Sequence, residues 1–385
     1  MSGNHPPNRR SHLYTLLMPA LVALLALLPM ASMAGPYAAT RAPRTQLAAL
    51  PLNWYPQISA TAAIVVDITS GQELYWHNAD TPGLPASTSK IITAMVAREL
   101  LPLDLQVTVE EGDMRDASIW AVAGLQVGDI VSVQDLLAGL LMPSGADAAV
   151  ALARAGGRAL DTNSSDPVGR FVQEMNAWGD RHGLQNSAFS NPVGDDDGSL
   201  QVMSARDLAV AASILLEDPL LTAIVGRAYF TYTVGGPQAR EIELYNTNQM
   251  LGNSDWFGVK TGFDEAAAQT YIGGYWRGDH RIIIVLLGSD NRYGDTAVIT
   301  EAVDASYHWM AVGQGTSSDG ATEALAALGL EFRIQRTVMM SREQYQQVTW
   351  ELIQDLPNRT WCAGVVVFRI GLREFARIPV YSVSN

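Results

Sequence analysis

The sequence contains two lysines, Lys90 and Lys260, among 25 lysine and arginine residues in all. Arginine keeps its proton at any working pH, whereas a lysine amine can be driven neutral by burial or by a neighbouring cation. A chain that uses arginine for nearly every positive charge points to its two amines as groups with chemistry to perform. Lys90 lies three residues after Ser87 in Pro85-Ala86-Ser87-Thr88-Ser89-Lys90. Proline suits the first turn of a helix, and residues three apart on a helix share a face, so hydroxyl and amine can meet. A serine hydroxyl is a weak nucleophile until a base takes its proton, and a desolvated lysine beside a second cation can be that base. At a helix start the Ser87 N–H would face an oxyanion developing on a bound carbonyl. Lys260 opens Lys260-Thr261-Gly262 in a segment that reads as extended. A cation there would depress the Lys90 amine and attract a substrate carboxylate, which Thr261 could hydrogen-bond. Gly262 would let a substrate backbone lie close to the strand. Each motif is weak alone; their joint claim on both lysines is the signal.

These residues need elements to hold them. Residues 60–67, an unbroken apolar strand pattern, turn at Gly71 into a second strand at 73–77, a hairpin. Helical spacing is expected over 91–101, 133–142, 147–155, 171–182 and 205–216, with a break at Pro143-Ser144-Gly145. Residues 282–287 read as a buried strand and 296–310 as a helix. Gly313 to Gly320 is a linker by composition, and 330–340, 347–356 and 363–383 read as strands of a small β-rich unit. At the N-terminus, Arg9 and Arg10 precede an apolar run over 13–28 and Ala31-Ser32-Met33-Ala34. That is the pattern of an export signal cut after Ala34, the run being shorter than the roughly 20 residues of a membrane span. Retention as an uncleaved anchor, with membrane association, is the alternative. Either way the body of the chain is expected outside the cytoplasm, in the periplasm or on the outer face of the cytoplasmic membrane.

Bulk properties exclude other classes. The formal charge is -14, which argues against nucleic acid as a partner. One cysteine, Cys362, rules out an internal disulfide and a thiolate metal site. The six histidines are scattered, without ligand spacing, so no metal and no cofactor is implied. Asp195-Asp196-Asp197 reads as a solvated loop because no spaced calcium ligand set follows. Asn246 and Asn248 read as turn formers or cleft residues, and Trp54, Trp120 and Trp256 as core.

With Ser87-x-x-Lys90, Pro143-Ser144-Gly145 and Lys260-Thr261-Gly262 in this order, the chain resembles penicillin-binding proteins and serine β-lactamases. It most resembles the low-molecular-mass D-alanyl-D-alanine carboxypeptidases. Residues 62–67, 85–90, 143–145, 189–194, 245–248 and 258–263 carry the likeness, which covers roughly residues 55–312. The resemblance implies an α+β fold of the β-lactamase/transpeptidase type: an antiparallel sheet flanked by helices, with a helical subdomain. The expected organisation is a leader (1–34), linker (35–54), catalytic domain (55–312), linker (313–320) and a small C-terminal β-rich domain (321–385). It also implies Ser87 as the acylated nucleophile, Lys90 as its base and Ser144 as proton relay to the leaving nitrogen. Lys260, Thr261 and Gly262 would receive the substrate's carboxyl end, and the N–H groups of Ser87 and Phe263 would form the oxyanion hole. The partners implied are peptidoglycan peptides ending in D-Ala-D-Ala, with β-lactams as covalent inhibitors. One position departs from the family's Ser-x-Asn motif: Ser144-Gly145-Ala146 lacks the asparagine amide. Losing a buried polar partner costs about 1–3 kcal/mol, roughly ten- to a hundredfold in rate. Asp147 points about 100° away on a helix and is not expected to fill the gap. A β-lactamase and a catalytically feeble penicillin-binding protein are the competing expectations.

Overall fold

Strand β1 (Ala62–Asp67) is buried at all six residues. Its Ala-Ala-Ile-Val-Val run alternates nothing because both faces of the strand are covered. A turn at Gly71 (φ 76°) leads into β2 (Gln72–His77), the antiparallel partner of β1. Two short hairpin-like pairs follow, β3 (Gln106–Thr108) with β4 (Ile130–Ser132) and β5 (Tyr229–Val234) with β6 (Arg240–Tyr245). Strands β7 (Trp256–Asp264), β8 (Ala268–Arg277) and β9 (His280–Ser289) complete the main sheet, ordered β2-β1-β9-β8-β7 and antiparallel throughout. This computed structural model describes residues 55–196, 198, 200–315, 320–354 and 362–383. The expected leader (1–34) and linker (35–54), Trp54, Asp197 and residues 316–319 lie outside them.

The helices that precede residue 307 are α1 (Lys90–Leu100), α2 (Val133–Leu141), α3 (Ala146–Leu160), α4 (Pro167–Arg181), α5 (Ala205–Leu215), α6 (Pro219–Val225) and α7 (Arg292–Ser306), and two short ones, Ala321–Ala327 and Arg342–Tyr345, follow. Helices α1 to α4 pack on one another, while α5 lies on β1 and β9 and α7 on β8 and β9. Ile299 and Val303 of α7 share a core with Ala63 and Val65 of β1 and Ile282, Ile284 and Leu286 of β9. Side-chain caps fix several helix starts: Ser132 accepts from the Asp135 N–H, Ser204 from Asp207 and Asn291 from Gly294. The architecture is the expected antiparallel sheet flanked by helices.

One expected element differs. Residues 296–310 do not form one helix: α7 ends at Ser306 and β10 (Tyr307–Gly313) begins at once. Its aromatic and β-branched residues suit a strand, and its antiparallel partner lies far along the chain, where local periodicity cannot register it. After β11 (Leu330–Phe332), that partner is β12 (Gln335–Ser341). Strands β13 (Val348–Ile353), β14 (Gly364–Ile370) and β15 (Arg373–Ser382) join β11 in a four-stranded sheet ordered β11-β15-β14-β13. Tyr307 packs in the main core, whereas Met310 and Val312 pack with Phe332, Phe368, Ile378 and Val380 in a second one.

A buried histidine ties β12 to the main sheet. His280 Nδ1 meets Asp67 Oδ2 at 2.6 Å and Nε2 meets the Thr337 carbonyl at 3.1 Å. Both partners accept, so both ring nitrogens donate and the ring is an imidazolium. Burial works against that charge, but the Asp67 hydrogen bond and field outweigh it and raise the pKa above 6.5. The stabilisation is therefore complete below about pH 6.5 and is lost as pH climbs through the raised folded value. His280→Ala is expected to cost about 1.5–3 kcal/mol at pH 6 and to remove this part of the pH dependence. Denaturant titrations of both proteins between pH 6 and 9 measure it; parallel pH profiles would refute the imidazolium bridge.

Candidate active site

Pro85 leads into a 3-10 turn (Ala86–Ser89) that runs straight into α1. Side chains three apart eclipse on a 3-10 turn, which stacks Ser87 directly under Lys90 and leaves Nζ 2.7 Å from Ser87 Oγ. The turn is braced on all sides. The Pro85 carbonyl accepts from Thr88 Oγ1 at 2.5 Å and from Thr270 Oγ1 of β8 at 2.9 Å, and the Ala86 carbonyl accepts from Ser89 Oγ. Ala86 sits at φ 44°, a left-handed conformation unusual for a residue with a Cβ. Gly194 packs against it so closely that a Cβ there would come within 2.1 Å of the Ala86 carbonyl oxygen.

Lys90 is 1% exposed, while Ser87 is half-buried and open to an incoming molecule. The second Lys90 bond goes to the Val193 carbonyl at 2.7 Å. Burial brings the amine down to about 7, against the opposing pull of Asp195 and Asp147. A neutral amine can donate one hydrogen to Val193 and present its lone pair to the Ser87 hydroxyl. That is the geometry of a general base and its nucleophile.

Strand β7, at the sheet edge, carries the second amine. Lys260 is 1% exposed and donates to the Thr261 carbonyl at 2.9 Å. Its amine is held well below the lysine range by burial, then by the charges of Lys90 and Arg292. Lys260 thus lies within the field of Lys90. Thr261 Oγ1 is 2.5 Å from Thr247 Oγ1. A Cβ on Gly262 would sit 2.9 Å from both the Ser87 and Thr88 nitrogens, and nearer still to Thr270 Oγ1 of β8, so the strand passes directly over the amides of the Ser87 turn. Phe263, next along, is 63% exposed.

Ser144 lies in the turn between α2 and α3 at φ 70°. Its hydroxyl is buried and has no hydrogen-bond partner among the described residues. Ala146 opens α3, its N–H donating to the Ala121 carbonyl. Asp147 turns away, its carboxylate accepting from the Ala123, Gly124 and Leu125 amides. Asn246 Nδ2 ties its turn to the Val225 and Arg227 carbonyls, and Asn248 Oδ1 accepts from the Met250 N–H and from the Tyr271 hydroxyl of β8. Sequence reasoning missed Arg292, Thr247 and the Val193 carbonyl. Arginine is the default cation here and carries no signal, Thr247 gains meaning only across the sheet edge, and a main-chain oxygen leaves no mark in a sequence.

Residues 49–291 match the D-alanyl-D-alanine carboxypeptidase family, a span that holds Ser87, Lys90, Ser144 and Lys260. The chain belongs to this family. The D-alanyl-D-alanine carboxypeptidase of Streptomyces sp. strain K15 is 33% identical over 241 residues, covering 61% of this chain and 82% of that one. The D-alanyl-D-alanine carboxypeptidase DacC of Escherichia coli K12 is 32% identical over 248 residues, 61% of this chain but 58% of its own length. The chain thus spans under two thirds of that second relative. Among solved structures, the Streptomyces K15 DD-transpeptidase superimposes with a TM-score of 0.61 at 30% identity, over 66% of this chain and 99% of that one. Penicillin binding protein 5 from Haemophilus influenzae gives a TM-score of 0.60 over 86% of this chain and 98% of that one, at 22% identity. This last likeness is one of fold, and it is long enough to take in C-terminal strands.

The close passage of β7 over the Ser87 turn, together with Thr270 Oγ1 of β8, leaves no room for a side chain at Gly262. Gly262→Ala is expected to overpack the turn, at a cost of about 1–3 kcal/mol, read as a lower urea midpoint with an unchanged slope. An unchanged midpoint would show that the strand and turn are not in contact in solution.

Proposed function

We propose that the chain removes the terminal D-alanine from peptidoglycan stem peptides ending in D-Ala-D-Ala, through an acyl-enzyme on Ser87, and that penicillins acylate the same oxygen. The observation that carries this reading is the 2.7 Å contact between Ser87 Oγ and a Lys90 amine brought to about 7. The family membership supplies the substrate class. In the proposed sequence Ser87 Oγ attacks the penultimate residue's carbonyl carbon while Lys90 Nζ takes the hydroxyl proton. The N–H groups of Ser87 and Phe263 stabilise the oxyanion. The C–N bond then breaks as Ser144 hands its proton to the departing D-alanine nitrogen and is reprotonated by Lys90, whose amine is neutral again. Water attacks the resulting ester while Lys90 takes its proton, and that proton passes to Ser87 Oγ as the ester C–O bond breaks, which frees the shortened peptide and restores Ser87. Lys260 and Thr261, with Arg292 behind them, hold the terminal carboxylate, which brings an opposite charge to the two buried lysines. A buried Ser144 hydroxyl without a partner among the described residues suits a group whose hydrogen bond is completed by substrate.

The Streptomyces K15 structure is that of a DD-transpeptidase. An acyl-enzyme gives transpeptidation when an amine replaces water, so the two outcomes differ only in the acceptor. The basic, apolar and small-residue pattern of residues 9–34 supports action outside the cytoplasm, where such peptides lie, with the segment either cleaved or kept as an anchor.

Fluorescent penicillin labelling combined with D-alanine release, with and without an added amine acceptor, tests the reading. Ser87→Ala is expected to abolish both signals; labelling equal to the parent would overturn the nucleophile assignment. Rapid loss of label with drug turnover would identify a β-lactamase instead, and stable label without D-alanine release a binding protein. The labelling rate is expected to fall about tenfold per pH unit below about 7, because a protonated Lys90 has no lone pair for the Ser87 proton. A flat profile from pH 5 to 9 would remove Lys90 as the base. Ala146→Asn is expected to raise D-alanine release about tenfold; an unchanged rate would retire the missing amide as a limit on catalysis.

A further inference from the structure

Asn191 opens the Asn191-Pro192-Val193-Gly194 stretch that lies against α1. Its Oδ1 accepts from three successive amides: the Val193 N–H at 3.2 Å, the Gly194 N–H at 2.8 Å and the Asp195 N–H at 3.1 Å. Its Nδ2 donates to the Asp195 carbonyl at 2.9 Å and to Ser190 Oγ at 3.2 Å. One asparagine thus curls residues 191–195 about its own amide, as short polar side chains do in turns. Gln201, 1% exposed, fastens the start of the loop, its Oε1 accepting from the Ser190 N–H at 2.8 Å.

The far sides of the same peptides face α1. The Pro192 carbonyl, which shares a peptide plane with the Val193 N–H, accepts from Thr93 Oγ1 at 2.7 Å. The Val193 carbonyl, which shares a plane with the Gly194 N–H, accepts from Lys90 Nζ at 2.7 Å. In a trans peptide the N–H and C=O point in opposite directions. Each plane is therefore gripped at both ends, by Asn191 on one side and by an α1 side chain on the other. Lys90 and Thr93 are three residues apart on one helix face, so they meet consecutive carbonyls. An N–H that donates also polarises its own peptide and makes the opposite carbonyl a better acceptor.

That carbonyl decides how the amine is turned. A neutral amine carries two hydrogens and one lone pair beyond Cε. Pinning one hydrogen on Val193 narrows rotation about Cε–Nζ to settings in which the lone pair can face Ser87 Oγ, 2.7 Å away. Gly194, one residue on, packs against the Ala86 carbonyl of the Ser87 turn. The loop therefore registers hydroxyl and amine together.

We propose that Asn191 is a positioning residue of the catalytic site: by holding the Val193–Gly194 peptide it fixes the carbonyl that orients Lys90 toward Ser87. It acts through the lysine and not on the substrate. This inference rests on Lys90 being the base of Ser87.

Acylation by fluorescent penicillin, followed over a range of drug concentrations, separates the maximal acylation rate from the half-saturating concentration. Rates are compared on the alkaline plateau of each protein's pH profile, where Lys90 is neutral, and thermal melts identify the variants that fold. Asn191→Ala, which removes the acceptor, is expected to lower the maximal rate about ten- to a hundredfold, the effect of a misplaced reacting group. The half-saturating concentration is expected to stay unchanged, because Lys260 and Thr261 are held on β7. Asn191→Gln, whose carbonyl sits one methylene further out, takes the place of Asn191→Ala if that variant does not fold, with the same loss expected. Asn191→Asp and Asn191→Ser each keep an oxygen able to accept from these amides, and at least one is expected to stay within about threefold of the parent. A folded Asn191→Ala with the parent's maximal rate would overturn the proposal, as would a change confined to the half-saturating concentration. Asp and Ser variants both as slow as Asn191→Ala would overturn it too. A parent that penicillin does not label removes the function on which the inference rests, whereas equal labelling of parent and Asn191→Ala removes this proposal alone.

Discussion

An amine withdrawn from water, within hydrogen-bond reach of a hydroxyl that is not, is the constraint to which the catalytic region answers. A lysine pays a desolvation penalty to be there, and the fold must hold it in place by other means. The penalty is met by a main-chain carbonyl at Val193 and by packing of α1 against α3 and α4. The charge of Lys90 in turn adds to burial in holding the second amine, Lys260, well below the lysine range. Because burial brings the Lys90 amine to about 7, the same burial that costs stability suits it to the base role proposed for it.

Placing the hydroxyl demands as much as placing the amine. The turn that carries Ser87 begins with a left-handed alanine, is hydrogen-bonded to itself and to β8, and is overlaid by a glycine of β7. Three separate stretches of chain, residues 85–90, 193–194 and 260–262, therefore meet at one point. Strain of this kind persists only where the surroundings over-determine it. The sheet edge carries Lys260 and Thr261, and the α2–α3 turn holds a Ser144 hydroxyl that has no hydrogen-bond partner among the described residues.

Much of this is legible in residue types. Ser87, Lys90 and Lys260 stand out because amines are so scarce in the chain, and the three-residue spacing carries its own geometry. β1 and β9 stand out because strands sheathed on both faces become unbroken apolar runs. What stays hidden is long-range. Strand β10 takes its identity from β12, the Val193 carbonyl has no side-chain signature, and Arg292 is one arginine among many. Helical geometry turns Asp147 from the cleft, as its neighbours in sequence imply, yet its use lies in what it faces instead, three amides some twenty residues earlier in the chain. The helix expected through residue 310 fails for the same reason that β10 is hidden: periodicity describes neighbours, and a strand is defined by its partner.

Both lysine side chains are 1% exposed, and every other permanently charged cationic side chain is an arginine guanidinium. Reagents that acylate primary amines, from carbamylating cyanate to the activated esters used for dyes and surface coupling, therefore meet no lysine at the described surface. The two they would find are shielded from solvent, and under the roles proposed for them modifying either would be read as inactivation rather than decoration. Chemical conjugation of this protein by way of carboxylates, or of the half-buried Cys362 thiol, follows a different logic from that of lysine-rich enzymes.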